Sequence, residues 1–201
     1  MTPRAITNAL TVDFEDWYQG LEIPPSGWPG LEDRIPHASR RLLDLLAGQH
    51  ARATFFVLGS LAEKHPQIVK EIAAAGHEIA THGWSHTMVY RMTPETFGEE
   101  LRRSIALLQD LSGRKIVGHR APFFSITRRS LWALEILAQN GILYDSSIFP
   151  VLNYRYGIED APRWPYAVRN GSPGGLIEFP ITTWRILGRN LPVAGGAYFR
   201  I

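Results

Sequence analysis

The chain has 201 residues, of which 45% are hydrophobic and 20% charged, a composition typical of a globular domain with a substantial core. Its net charge is only +2, with lysine and arginine scattered, so no nucleic acid is expected as a partner. Cysteine is absent, which excludes disulfides, thiolate metal sites and cysteine nucleophiles. The first residues do not resemble a secretory signal, and no segment has the roughly 20 apolar residues that span a bilayer. The sequence therefore predicts a cytoplasmic protein with no transmembrane segment and indicates no oligomeric state.

Strand and helix patterns alternate along the chain. Short runs of β-branched, aromatic and aliphatic residues predict buried strands, and longer runs with apolar residues at helical spacing predict helices. The predicted elements, in chain order, are strand 6–14, helix 37–47, strand 53–58, helix 60–76, strand 78–81, helix 93–112, strand 115–119, helix 127–140, strand 143–144 and strand 176–181.

Local signals mark several helix ends. Ser60 with Glu63 three residues later forms a capping-box pattern, Thr93-Pro94 is a typical helix start, and Gly113 follows the end of the same helix. Because strands and helices alternate with short connections, we expect one α/β domain over residues 1–201, with a parallel sheet covered by helices. No GxGxxG follows the first strand, which argues against a dinucleotide-binding sheet.

Polar clusters follow three of the predicted strands. The first strand ends in DFEDW (13–17), the third in HGWSH (82–86) and the fourth in HRAPF (119–123). A (β/α) barrel carries its active site at the carboxyl ends of its strands, so these clusters are expected to meet in one cleft. Alone, each has an ordinary explanation as a solvated loop or a surface ion pair. Their coincidence at three strand ends favours a functional site.

A metal site is the most specific reading of the histidine cluster. Two imidazoles, from His82 at a strand end and His86 on the following turn, can converge on one divalent cation. A carboxylate from the first strand would then supply a third ligand and leave a position open for water. His77 begins the strand, at its opposite end, and is interpreted as structural.

These motifs resemble the polysaccharide deacetylases of carbohydrate esterase family 4. The first family motif corresponds to TVDFED, the second to the histidine pair, and the third to Arg120-Ala121-Pro122-Phe123. The resemblance implies a distorted (β/α) barrel and a metal-dependent hydrolase that removes N-acetyl groups from an amino-sugar polysaccharide. The DFEDW form and the later GGAYFR are most similar to the branch associated with bacterial exopolysaccharide loci.

The resemblance also implies site roles. Asp13 is the expected general base, with Arg120 holding it ionised and oriented. The implied metal is zinc, with nickel or cobalt as alternatives, on His82, His86 and one carboxylate. Asp16 keeps the residue type of the family and is narrowly favoured for that carboxylate. Glu15, which lies on the same strand face as Asp13, is the alternative.

Aromatic residues near the motifs are candidates for stacking on sugar rings. Trp17, Pro122 and Phe123 are the expected substrate contacts. Tyr18, Trp84 and Phe124 are further candidates, although core packing explains at least half of such residues. Asp145, which follows a strand in YDSS, is expected either to contact substrate or to cap a turn.

One family feature is missing from the sequence. The last family motif is Leu-x-His, whose histidine protonates the leaving amine, and no histidine follows Arg120 in this chain. The expectation is therefore a catalytic domain truncated at its C-terminus, with His119 as the alternative source of the acid. Two other functions stay open: hydrolysis of a small cyclic amide, as in allantoinase-like relatives of this architecture, and non-catalytic glycan binding or assembly.

Overall fold

The computed structural model describes residues 8–21, 23–168 and 175–193. In these ranges the strands are β1 Thr11–Phe14, β2 Thr54–Val57, β3 Glu78–Thr81, β4 Gly118–His119, β5 Tyr144–Asp145, β6 Tyr166–Val168, β7 Leu176–Glu178, β8 Thr183–Ile186 and β9 Arg189–Pro192. The α-helices are α1 Ile35–Gly48, α2 Gly59–Lys64, α3 Pro66–Ala74, α4 Pro94–Ser112 and α5 Trp132–Gln139. None of these helices has the combination of length and apolarity that would let it cross a membrane.

Seven strands form one sheet in the order β1-β2-β3-β4-β5-β7-β6. All neighbours are parallel except β6, which runs antiparallel to β7. Strands β8 and β9 form a separate antiparallel hairpin. Within the described residues β1 and β6 are the two edge strands, so this part of the chain forms an open, mainly parallel sheet.

The core lies between the sheet and the helices. Phe55, Phe56 and Val57 of β2 are almost completely buried, which shows that this strand is covered on both faces. Helix α4 contributes Phe97, Leu101 and Leu108 from one face. The helix starts as the sequence predicts, with the Thr93 hydroxyl accepting a hydrogen bond from the Thr96 amide.

The predicted helix 60–76 is two helices in the structure. Pro66 has no amide hydrogen and disfavours a helical conformation at the residue before it. His65 accordingly leaves the helical region, with φ −126° and ψ 55°, and separates α2 from α3. The capping-box prediction is also wrong, since α2 begins at Gly59 after Leu58 and has no side-chain cap.

Other differences are in element length. The strands β4, β5 and β7 are two or three residues long, and α5 covers only part of the predicted helix 127–140. The beginning of the predicted first strand and the GGAYFR segment lie outside the described residues. The parallel strands are nevertheless paired in register, so their carboxyl ends lie along one end of the sheet. This arrangement brings the three polar clusters near one another.

Candidate metal and catalytic site

Three side chains from two strand ends form a compact cluster. Glu15 follows β1, His82 follows β3, and His86 lies on the next turn. One potential ligand atom from each lies within 4.8 Å of the others. The Glu15 Oε2 atom is 3.5 Å from His82 Nε2 and in direct contact with His86 Nε2. One carboxylate and two imidazoles are a donor set that suits zinc and similar divalent ions.

The cluster also has polar atoms that lack protein hydrogen bonds. Glu15 Oε2 and His86 Nε2 are both buried without a hydrogen-bond partner. Buried polar atoms are rarely left in this state, and a cation among these three groups would satisfy them. The residues present therefore fit a divalent metal.

The ionisation of the cluster reflects the closeness of its members. Burial alone would raise the pKa of Glu15, but the imidazoles of His82 and His86 close to its carboxylate outweigh that effect and lower the pKa to about 2. Burial would lower the pKa of His82, but the charge of Asp13 and the contact with Glu15 raise it instead. A carboxylate that stays ionised at neutral pH is ready to act as a ligand.

Backbone and ring contacts orient the two histidines. The Nδ1 atom of His82 is 2.7 Å from the carbonyl oxygen of Arg120, which turns Nε2 toward Glu15. The ring of His86 meets the edge of Phe123, with centroids 4.7 Å apart. A hydrogen bond to the second ring nitrogen is the usual way in which proteins orient a ligating histidine.

The structure does not place Asp16 in this cluster. The Asp16 side chain is buried, and both of its oxygens are occupied by backbone amides: Oδ1 accepts from Trp17 and Oδ2 from Arg34. Strand β1 ends at Phe14, and the chain turns after it, so that the Glu15 side chain rather than that of Asp16 reaches the two histidines. The preference for Asp16 over Glu15 is therefore corrected, and Asp16 shapes the loop after β1 instead.

Asp13 and Arg120 form an ion pair at the same carboxyl end of the sheet. The guanidinium Nη1 is 2.8 Å from Asp13 Oδ1 and 3.0 Å from the Thr11 hydroxyl. Its other contacts are to Ser146, with Nε donating to the carbonyl at 3.1 Å and Nη2 to the hydroxyl at 2.9 Å. The guanidinium also lies 4.1 Å from the ring centroid of Phe56. Arg120 is thus held on several sides, whereas the Asp13 side chain is still 28% exposed.

Sequence reasoning missed Ser146 and Thr11 as partners of Arg120. Thr11 is two residues before Asp13, so alternation along β1 places both on one face. Ser146 belongs to the YDSS segment, in which only Asp145 is a predicted site residue. A polar residue directly after a buried strand was the available signal.

Asp145 does not reach the surface. Its Oδ1 atom is 2.7 Å from His119 Nδ1 and accepts a hydrogen bond from Ser147. Both His119 and Asp145 are completely buried. Asp145 therefore neither contacts substrate in this conformation nor caps an exposed turn, and His119 is not accessible to a leaving group.

The predicted substrate contacts divide into exposed and buried residues. Trp17 is 38% exposed, and its indole N–H donates to the Glu32 carbonyl. Phe123 is half-buried beside His86. Pro122 is buried against Gly83, so its expected contact with substrate does not agree with the structure.

The remaining aromatic candidates divide in the same way. Tyr18 and Trp84 are buried, which agrees with core packing. Phe124 is half-buried and packs on Phe149. His77, interpreted as structural, is buried and accepts a hydrogen bond from the Ala53 amide.

Comparison with known proteins identifies the family. The model described as "Polysaccharide deacetylase" matches residues 23–142, which is more than half of the chain. The chain belongs to the polysaccharide deacetylase family. A second model, described as "Domain of unknown function (DUF3473)", matches residues 146–201. The first match begins after Asp13 and Glu15, so the assignment of those two residues depends on the geometry above.

Individual relatives agree with this membership. A "Peptidoglycan deacetylase" of Helicobacter pylori is 34% identical over 141 residues, which cover 70% of this chain and 44% of that protein. A "Peptidoglycan-N-acetylglucosamine deacetylase" of Bacillus cereus is 35% identical over 96 residues, which cover 47% of this chain and 35% of that protein. The chain thus spans less than half the length of either relative.

A solved structure has the same fold. A crystal structure from Mycobacterium smegmatis, described as a candidate polysaccharide deacetylase, matches with a TM-score of 0.71 and 30% identity, covering 87% of this chain and 58% of that one. The predicted family and its α/β barrel-type fold are confirmed. Membership in the exopolysaccharide branch stays a prediction.

Proposed function

We propose that this protein is a metal-dependent hydrolase that removes N-acetyl groups from an amino-sugar polysaccharide. The observation that carries the proposal is the Asp13–Arg120 ion pair beside the cluster of Glu15, His82 and His86. The named relatives, which are deacetylases of peptidoglycan, support an N-acetylated glycan as the substrate. They give no support to the alternative of a small cyclic amide.

Glu15, His82 and His86 would hold the divalent metal, with zinc as the first choice and nickel or cobalt as alternatives. When bound, such an ion supplies Lewis acidity, which makes a bound water more acidic and polarises an amide carbonyl.

Asp13 is the proposed proton acceptor. Its carboxylate is partly exposed and lies close enough to the cluster for its charge to raise the pKa of His82. A carboxylate in this position can take a proton from the attacking water and return it to the amide nitrogen as the C–N bond breaks, which gives acetate and a free amino sugar. Arg120 holds that carboxylate by a charge-assisted hydrogen bond of 2.8 Å and so orients it before the substrate arrives.

Trp17 and Phe123 are the proposed sugar contacts. Both are partly exposed near the ends of the motifs, and an aromatic face can pack against the apolar face of a sugar ring. Phe123 also touches His86, so a sugar packed on Phe123 would lie next to the metal site.

Zinc content tests the ligand assignment directly. His82→Ala, His86→Ala and Glu15→Ala are each expected to lose stoichiometric zinc, because two remaining ligands bind an ion weakly. Asp16→Asn and the exposed His37→Ala are expected to retain it, since neither side chain belongs to the cluster. Zinc is measured by elemental analysis after dialysis.

Acetate release tests the activity. The zinc-loaded protein is incubated with N-acetylated chitooligosaccharides and peptidoglycan fragments, and free acetate is quantified against the three ligand variants. Zinc binding by the unsubstituted protein without acetate release from either substrate would contradict the hydrolase proposal and favour a non-catalytic glycan-binding role. Retention of zinc by all three ligand variants would contradict the site itself.

A further inference from the structure

The turn that carries His86 has an unfavourable backbone conformation. His86 has φ 60° and Gly83, three residues earlier, has φ 79°. The left-handed region is easily adopted by glycine but costs a residue such as histidine about 1 kcal/mol or more. This conformation therefore persists only because surrounding contacts hold it.

The first half of the turn is held by α2 and by the end of β3. The carbonyl oxygens of Gly83 and Trp84 accept hydrogen bonds from the amides of Gly59 and Ser60, at 2.8 and 3.2 Å. The Gly83 amide donates to the Thr81 hydroxyl at 3.2 Å. These bonds end before His86 and do not by themselves determine its conformation.

The second half of the turn is held by Glu100 of α4. The amide and the hydroxyl of Ser85 both donate to Glu100 Oε2, at 3.1 and 2.9 Å. The same hydroxyl is 2.7 Å from that of Thr87. One carboxylate oxygen thus binds the residue directly before His86, through its backbone and its side chain.

Glu100 is itself rigidly placed. It lies in the middle of α4 between Phe97 and Leu101, which are buried in the core. The helix also bonds to the end of β3 through the hydroxyls of Ser104 and Thr81, 2.7 Å apart. Helix α4 therefore holds both ends of the segment that connects the two histidines.

We infer that Glu100 is a positioning residue for the metal site, which acts through Ser85 to hold His86 in its left-handed conformation. Without this hydrogen-bond acceptor the turn can relax to ordinary backbone angles, and His86 Nε2 then moves away from Glu15 and His82. The inference rests on the proposed metal site and names a residue outside the ligand set that determines its affinity.

Zinc affinity of Glu100 variants tests the inference. Affinity is measured for zinc alone by competition with a chromophoric chelator. Glu100→Ala is expected to weaken binding about 10-fold or more, which is the usual effect of removing a group that orients a ligand. Glu100→Gln is expected to stay close to the unsubstituted protein, because one amide oxygen can accept both hydrogen bonds. Ser85→Ala, which removes only the hydroxyl, is expected to fall between them.

Glu99→Ala is the matched control, since Glu99 is an exposed neighbour on the same helix. Thermal melting without zinc separates positioning from a general loss of structure, and the melting temperature of Glu100→Gln should be unchanged. Equal affinity of Glu100→Ala and Glu99→Ala would overturn the inference, as would equal losses in Glu100→Ala and Glu100→Gln. Failure of the unsubstituted protein to bind zinc would instead overturn the proposed function, and the inference with it.

Discussion

Two carboxylates at the carboxyl end of β1 have different partners. Asp13 contacts an arginine, and Glu15 contacts two histidines. Neighbouring groups therefore separate a candidate proton acceptor from a candidate ligand, although the side chains are only two positions apart. Environment, rather than residue type, distinguishes the role of each carboxylate.

Asp13→Asn separates these roles experimentally. The amide cannot accept a proton from water but leaves Glu15, His82 and His86 in place, so the variant is expected to retain zinc. Acetate release is expected to fall about 10²–10⁴-fold, the usual contribution of a general base. Both quantities are measured on the same preparation.

Asp44→Asn, at a carboxylate on α1, is the control for that substitution. Loss of zinc from Asp13→Asn would make Asp13 a ligand, and full turnover would show that it is not the base.

The third candidate ligand shows which parts of the site can be predicted from the sequence and which cannot. Residue type favoured Asp16, and strand alternation favoured Glu15. The structure favours Glu15, because the chain bends after β1 and the Trp17 and Arg34 amides bind the Asp16 carboxylate. Those hydrogen bonds depend on a loop that returns from 18 positions away, which no local pattern encodes.

At the element scale, sequence periodicity located most of the sheet. The strands that carry the motifs were found because they are short, apolar and followed by polar clusters. The break at Pro66 was missed because apolar spacing continued through it, although proline was a sufficient signal. Strands β6, β8 and β9 were also missed, since they carry little apolar alternation: half-buried and exposed residues dominate β6 and β9.

Close strand packing makes one glycine essential. Gly118 of β4 is paired with Tyr144 of β5, and a Cβ on Gly118 would overlap the tyrosine ring. Because that ring packs edge-on against Phe56 and Phe179, it has little freedom to move aside. Gly118→Ala is therefore expected to destabilise the fold by about 1–3 kcal/mol, measured by urea unfolding.

Gly48→Ala is the matched control for this substitution. Gly48 ends α1, and nothing lies within 4 Å of its Cβ position. Alanine there is expected to have no cost and to add up to about 1 kcal/mol, because alanine favours helix. A Gly118→Ala variant as stable as Gly48→Ala would show that β5 can shift to accept the methyl group.

At the scale of the whole molecule, a polar row crosses the sheet. Thr81, His119, Asp145, Glu178 and Tyr166 are register partners on five adjacent strands. The three ionisable members at its centre, His119, Asp145 and Glu178, are completely buried. The row lies at the same carboxyl end of the sheet as the candidate site. The sequence does not predict this row, because its residues come from separate strands.

Glu178 is the member of this row for which we predict an effect of pH on global stability. Burial and the nearby charge of Asp145 raise the pKa of Glu178 well above its ordinary value of 4.5, so the folded state keeps a proton that the unfolded state releases. Below pH 4.5 Glu178 is protonated in both the folded and the unfolded state, and the full stability is present. As the pH rises toward the raised pKa, stability is lost.

Glu178→Gln mimics the protonated group and can still accept a hydrogen bond from the Ile148 amide. Its free energy of unfolding, measured in urea without metal, should exceed that of the unsubstituted protein by a margin that grows above pH 4.5, at most by about 1.4 kcal/mol per pH unit. The exposed Glu159→Gln should give no such trend, and a margin that stays constant from pH 4 to 8 would mean that Glu178 is ionised in the folded protein.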